Sequence, residues 1–170
     1  MGTRGLTSSE TNEWYTPRQY VEAAVEVLGA IDVDPASCEE ANKVVQATTI
    51  YDADTDGLIK EWSGRVWLNP PYGDLAGKFI ERLVQQYTEG PTEAAIVLVN
   101  AHATDTTWFQ SLWNHTLCFT DHRVDFWSTR PKTSGPTHGT VFVYLGPKTD
   151  LFAAHFQKFG AIVCLLKEAA

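Results

Sequence analysis

The sequence predicts an α/β domain with a mostly parallel central sheet and helices on both faces. Three observations carry that expectation. Segments of strand character alternate with segments of helical periodicity along the chain, the pattern of strand–helix–strand units. Residues 94–100 form one apolar run ending in Asn100, as a strand covered on both faces would. The 170 residues, 44% apolar and 20% charged, suit one core rather than two cores or a disordered chain.

The elements follow in order. Residues 1–13 read as a polar tail, and 14–170 as the folded domain. Thr16-Pro17 opens a helix, Thr as N-cap and Pro in the first position. Tyr20, Ala24, Val27 and Leu28 give it an apolar stripe, and Gly29 ends it. A short strand over 30–33 runs into Asp34-Pro35. A helix over 39–47 and a strand over 48–51 come next, then a helical turn from Gly57 towards Trp62. Residues 65–68 are a strand ending in Asn69-Pro70-Pro71-Tyr72, and 74–87 an amphipathic helix broken at Gly90-Pro91. After the strand at 94–100, a helix is expected over 104–114 and a strand over 116–119. Residues 121–138 form a loop-like stretch, followed by a strand at 140–145, a helix at 150–159 and a last strand at 161–166.

Charge narrows the function classes. With 13 basic and 21 acidic residues, the net charge of -8 excludes a protein that coats nucleic acid through bulk positive charge. The imbalance is uneven: residues 1–117 hold 7 basic and 17 acidic side chains, residues 118–170 hold 6 and 4. Arg123, Arg130 and Lys132, with His122 and His138, fall in one loop-rich stretch, which is either a phosphate-facing patch or a solvated loop. Cys38, Cys118 and Cys164 are far apart and form no Cys-x-x-Cys or Cys/His cluster. Neither disulfides nor a metal site is expected, and a reducing cytoplasm fits. No secretory signal and no apolar run long enough to cross a bilayer is read, so no membrane partner is expected.

In open α/β sheets ligands sit beyond the carboxyl ends of the strands. Two motifs fall at such positions: Asp32-Val33-Asp34-Pro35-Ala36-Ser37 and Asn69-Pro70-Pro71-Tyr72. Two prolines cannot continue a central strand, and they hold Asn69 extended. The product is a stiff loop with a side-chain amide, carbonyls free of ladder partners and an aromatic ring; the plain alternative is a strand stop with Tyr72 packed on the sheet edge. For the acidic motif, a carboxylate at a strand end can accept from ribose hydroxyls or an ammonium, while the alternative is an N-cap by Asp34 or Ser37.

Asn69-Pro70-Pro71-Tyr72 after an apolar strand resembles the catalytic motif of amino-methyltransferases that use S-adenosylmethionine. The wider set resembles the small, Dam-type, phage-associated DNA N6-adenine methyltransferases. It comprises Trp14-Tyr15-Thr16-Pro17, residues 32–37, Asn42, Asp56-Gly57-Leu58 with Trp62, residues 66–73, 95–99, 123–127 and 139–146. The resemblance spans about residues 14–146. It implies a Rossmann-like fold, S-adenosylmethionine as cofactor, no metal, a flipped adenine of DNA as substrate, and a phage or prophage origin in a bacterial cytoplasm. It places Asn69, Pro70, Pro71 and Tyr72 in catalysis. Cofactor binding falls to Trp14, Thr16, Pro17, Asp32, Asp34, Pro35, Ala36, Ser37, Asp56 and Leu58, and DNA binding to Arg123, Arg130 and Lys132. With no room for a large target-recognition domain, short sequence specificity or a homodimer follows.

The chemistry explains the residue types. The exocyclic amine of adenine delocalises its lone pair into the ring and becomes positive as it attacks a methyl sulfonium. Acceptors preplaced at its hydrogens, here the Asn69 side-chain oxygen and the Pro70 carbonyl, favour a tetrahedral nitrogen whose lone pair points at the methyl. Tyr72 can stack on the base. Base flipping loses stacking that pocket aromatics replace; Trp67, Trp108, Phe126 and Trp127 are the candidates, each with core packing as its alternative. The same motif serves other planar amines, namely cytosine N4, guanine N2 in RNA and protein glutamine, so it does not by itself separate acceptors. A non-catalytic DNA- or partner-binding module is the remaining reading. One departure stands out: no Gly lies between Gly29 and Gly57, where a glycine-rich cofactor loop is expected. Residues 32–37 therefore align either with the first cofactor motif or with the second, whose acid holds the ribose, and Asp56-Gly57-Leu58 is either the contact to the cofactor's adenine amine or a plain turn.

Overall fold

One face of α1 (Arg18–Leu28) is apolar, and its Tyr20, Val21, Ala23, Ala24, Val27 and Leu28 are buried. Pro17 stands at the N-cap and no side chain caps the helix, so Thr16 does not play the capping role its sequence position suggests. The computed structural model describes residues 14–129 and 138–166. The polar tail 1–13 and the candidate DNA contacts Arg130 and Lys132 lie outside the described residues.

After α1 come β1 (Val33–Asp34), α2 (Glu39–Val45) and β2 (Thr49–Ile50). A 3₁₀ turn at Gly57–Ile59 leads to β3 (Gly64–Leu68), α3 (Asp74–Glu89) and β4 (Thr92–Asn100). The remainder is β5 (Thr116–Thr120), β6 (Thr140–Leu145), α4 (Thr149–Phe156) and β7 (Gly160–Val163). The seven strands form one sheet in the order β2-β1-β3-β4-β6-β5-β7.

Period-two alternation divides the core between the two faces. Trp67 of β3, Ile96 and Leu98 of β4, and Phe142 and Tyr144 of β6 pack on one face with α1, α2 and α4. Val66 and Leu68, Ala95, Val97 and Val99, and Val141, Val143 and Leu145 pack on the other with α3 and a 3₁₀ segment at Trp108–Asn114. Helices on both faces are therefore present. Each large apolar side chain so enclosed contributes about 1.5–3 kcal/mol relative to exposure.

The expected mostly parallel sheet is corrected. The pairs β1–β2, β1–β3 and β3–β4 are parallel, but β4–β6, β5–β6 and β5–β7 are antiparallel, and taken together the antiparallel ladders are the more extensive. The reason is topological. β6 returns from β5 and inserts between β4 and β5, so β4 and β5, which run in the same direction, do not pair with each other. Strand–helix alternation reports direction and not insertion.

The helix expected over 104–114 is also corrected: only Trp108–Asn114 is helical, and it is 3₁₀. Thr104-Asp105-Thr106-Thr107 supplies poor helix formers that bond locally, as Thr106 Oγ1 does to the Ala103 carbonyl at 2.7 Å.

Candidate active site

The sheet order places a topological switch between β1 and β3. From β1 the chain crosses to β2 on one side; from β3 it crosses to β4 on the other. The crevice beyond the carboxyl ends of β1 and β3 is where such sheets bind ligands. Asp34 ends β1 and Asn69 directly follows β3, so both motifs open on this crevice.

Asn69 Nδ2 donates to the Trp14 carbonyl at 3.0 Å. A carbonyl only accepts, so the amide nitrogen is the atom that faces Trp14. Its Oδ1 has no protein partner among the described residues and is left to accept from a ligand. The residues after Asn69 wall a cavity of about 180 Å³. Pro70, Pro71 and Tyr72 line it together with Leu98, Val99 and Asn100 at the end of β4 and with Trp108, Phe126 and His138. Tyr72 is 54% exposed, its ring free to meet a planar ligand. A methyl at Gly77 of α3 would lie 2.8 Å from Trp108 Cδ1, so this glycine lets the indole lie against the helix.

Of the four aromatic candidates, Trp108 and Phe126 line the cavity. Trp67 is a core residue at 1% exposure, because its place in β3 turns it to the α1 face. Trp127 does not line the cavity; it packs on Tyr15 with ring centroids 4.7 Å apart.

The acidic motif is folded tightly against its neighbours. Asp34 is 2% exposed, and its backbone carbonyl accepts from Tyr51 N–H at 3.0 Å. Burial pushes its carboxyl up to about 7, while the Ser37 hydroxyl and the Ala36 N–H, 3.4 Å from Oδ1, act in the opposite direction. Ser37 Oγ nevertheless closes no well-formed hydrogen bond, and neither does Thr16 Oγ1; both are buried. Neither Asp34 nor Ser37 caps the helix that follows; Cys38 does, its Sγ accepting from Ala41 N–H at 3.4 Å. A buried carboxylate and two buried hydroxyls without partners are costly unless a polar ligand completes them. That donor and acceptor set fits the ribose or amino-acid end of S-adenosylmethionine.

Asp56-Gly57-Leu58 joins the same cluster. A methyl on Gly57 would fall 2.0 Å from the Pro35 carbonyl oxygen, so only glycine allows the two segments to touch. Trp62 Nε1 donates to the Gly57 carbonyl at 2.8 Å and fixes the turn. Asp56 sits at φ 48 and accepts from Leu58 N–H, exposed at the rim.

Asp32 does not join them. It precedes β1, at the amino end of the strand and away from the crevice, where it forms a two-pronged ion pair with Arg65 at 2.7 and 2.9 Å and accepts from Arg65 N–H at 2.7 Å. The guanidinium beside it holds its carboxyl below the usual range. Arg123 lies on the segment that leaves β5 towards Phe126, which lines the cavity, but is not itself among the lining residues. Sequence reasoning missed the backbone carbonyl of Trp14 as the partner of Asn69, since a carbonyl leaves no side-chain signal. It also passed over Asn100, a polar residue ending an apolar strand, the same signal that marked Asn69. Among the described residues, no group of three or more His, Cys, Asp or Glu side chains is placed to hold a metal, and no helix is long and apolar enough to cross a membrane.

A family model described as DNA N-6-adenine-methyltransferase (Dam) matches residues 4–161. This chain belongs to the Dam family. A Dam-family relative from Escherichia phage T1, named DNA N-6-adenine-methyltransferase, is 36% identical over 78 residues, which is 43% of this chain and 30% of that protein. The match thus spans under a third of the relative. The crystal structure of the 23S rRNA methyltransferase ErmE superposes with a TM-score of 0.49 at 12% identity, covering 80% of this chain and 70% of that one.

Proposed function

We propose that this Dam-family chain transfers a methyl group from S-adenosylmethionine to the N6 amine of adenine in DNA. The observation that carries the proposal is the Asn69 amide, oriented by its bond to the Trp14 carbonyl so that Oδ1 is available beside a small cavity walled by planar side chains. Bound S-adenosylmethionine supplies an electrophilic methyl on a sulfonium. Asn69 Oδ1 and the Pro70 carbonyl each accept one N6 hydrogen, which directs the nitrogen lone pair towards that methyl. As the N6–carbon bond forms, the methyl–sulfur bond breaks and its electron pair stays on sulfur, so S-adenosylhomocysteine would leave as a neutral thioether; the N6 nitrogen then loses one proton to solvent and ends neutral. No strong base is needed, because the proton leaves after attack from a nitrogen already made acidic.

Tyr72, Trp108 and Phe126 replace the stacking that the flipped base gives up. Thr16, Asp34, Pro35, Ala36 and Ser37 hold the polar parts of the cofactor, with Trp14, Pro17, Asp56 and Leu58 completing the cradle. Asp32 is left out of it, since its oxygens are taken by Arg65. Arg123, with Arg130 and Lys132, supplies phosphate contacts that the acidic remainder of the chain lacks.

The test is methyl incorporation from labelled cofactor into DNA, RNA and protein in parallel, followed by digestion to nucleosides and amino acids. The proposal expects label in N6-methyldeoxyadenosine. Label in N4-methyldeoxycytidine, in RNA alone or in glutamine alone overturns the acceptor. Cofactor binding without any transfer points to the non-catalytic module.

A further inference from the structure

Asn69 is held by the Trp14 carbonyl, and Trp14 lies in a short non-helical lead to α1 that must itself be fixed. The segment leaving β5 fixes it. Tyr15 and Trp127 form an isolated antiparallel bridge, Tyr15 N–H to the Trp127 carbonyl at 2.8 Å and Trp127 N–H to the Tyr15 carbonyl at 3.0 Å. Their rings pack at 4.7 Å between centroids, and Trp127 Nε1 donates to the Thr16 carbonyl at 3.3 Å. Five residues earlier on the same segment, His122 Nε2 meets the Tyr20 hydroxyl at 2.7 Å at the start of α1. The segment therefore grips the chain at Tyr15, Thr16 and Tyr20, on both sides of the turn into the helix.

We infer that Trp127 is a positioning residue for the reacting site. It does not line the cavity; it acts through Tyr15 and Trp14 to set the direction of the Asn69 amide. A carbonyl that shifts releases the amide to rotate about a broad torsion, and Oδ1 then loses its aim. The same segment carries Arg123 and runs into the cavity wall at Phe126. Contacts made by DNA to this segment would therefore bear on Asn69 through Trp127. The inference rests on the proposed role of Asn69.

The test is a double-mutant cycle on methyl transfer in a single turnover, at saturating cofactor and DNA. The proteins are wild type, Trp127→Ala, Trp127→Phe, Asn69→Ala and the two doubles. Trp127→Ala is expected to slow transfer about tenfold or more. Trp127→Phe keeps a ring against Tyr15 and the backbone bridge but loses the Nε1 bond, and should slow it by less. In the Asn69→Ala background neither change should slow transfer further, because the group they position is gone. Equal losses in both backgrounds overturn the inference, since Trp127 then acts on something other than Asn69, and so does a full wild-type rate in Trp127→Ala. Should Trp127→Ala fail to fold, the Trp127→Phe arm decides alone: a rate unchanged from wild type, or a loss repeated in the Asn69→Ala background, overturns the inference. An Asn69→Ala protein as fast as wild type instead overturns the proposed function, leaving a distinct signature.

Discussion

Asp34 should make the ligand-free protein less stable as pH rises. Its carboxyl lies at about 7 against an ordinary 3.8, and burial is the main cause. For an acid, a raised value means that the folded state holds the proton more tightly than the unfolded chain. Below about 3.8 both states are protonated and nothing is lost. Between 3.8 and about 7 the unfolded chain ionises first, so stability falls. Above that window the full penalty applies, roughly three pK units or on the order of 4 kcal/mol. Asp34→Asn keeps an acceptor for the Ala36 N–H and cannot ionise. Without cofactor it should melt higher than wild type at pH 8, by about 10 °C at the full penalty, and the gap should close towards pH 4. If the carboxylate is kept for the cofactor, the same change should cost about 1–3 kcal/mol of cofactor affinity. Thermal melts from pH 4 to 8.5 and isothermal titration with S-adenosylmethionine measure both. An Asn variant less stable than wild type at pH 8, or a gap that ignores pH, refutes the desolvated carboxylate. Undiminished affinity refutes its role in binding.

Three further outcomes are expected. Gly57→Ala drives a methyl into the Pro35 carbonyl, so it should destabilise the fold by about 1–3 kcal/mol and weaken cofactor binding together, read by melts and titration. Asp32→Asn should do the reverse of Asp34→Asn. The Arg65 pair holds Asp32 below its ordinary value, so its contribution is present above about pH 4 and fades as pH falls through the lowered value. At pH 7 the variant should lose about 1 kcal/mol of stability while cofactor affinity stays; a selective loss of affinity would return Asp32 to the cofactor site. Replacing Arg123, Arg130 and Lys132 with Ala should weaken DNA binding and flatten its salt dependence by a slope of about one per lost contact, whereas an unchanged slope marks a solvated loop.

Much of the fold was legible because period and punctuation are local. The strand at 140–145 has the same bounds in sequence and structure, and Pro70-Pro71 stops β3 where two missing N–H groups demand it. Pairing order was not legible. Nothing within 140–145 says that it inserts between β4 and β5. Asp32 and Asp34 flank one valine and look alike in sequence; the fold sends one to the Arg65 end of the sheet and the other to the crevice. The indoles separate in the same way, Trp67 by its parity in β3 and Trp108 by Gly77 opposite it. The Trp14 carbonyl that orients Asn69 belongs to a residue 55 positions away and could not be read from any motif.

The acceptor role of Asn69 is the centre of the account, and paired substitutions test it. Asn69→Ala deletes the oxygen, so single-turnover methyl transfer at saturating cofactor should fall by about 10²-fold or more while cofactor binding survives. Asn69→Asp keeps an oxygen opposite a nitrogen that becomes positive but loses the N–H given to the Trp14 carbonyl, so its rate should fall between those of the Ala protein and wild type. An Asn69→Ala protein that folds, binds cofactor and transfers at the wild-type rate contradicts the account, because the oxygen is then not what the reaction uses.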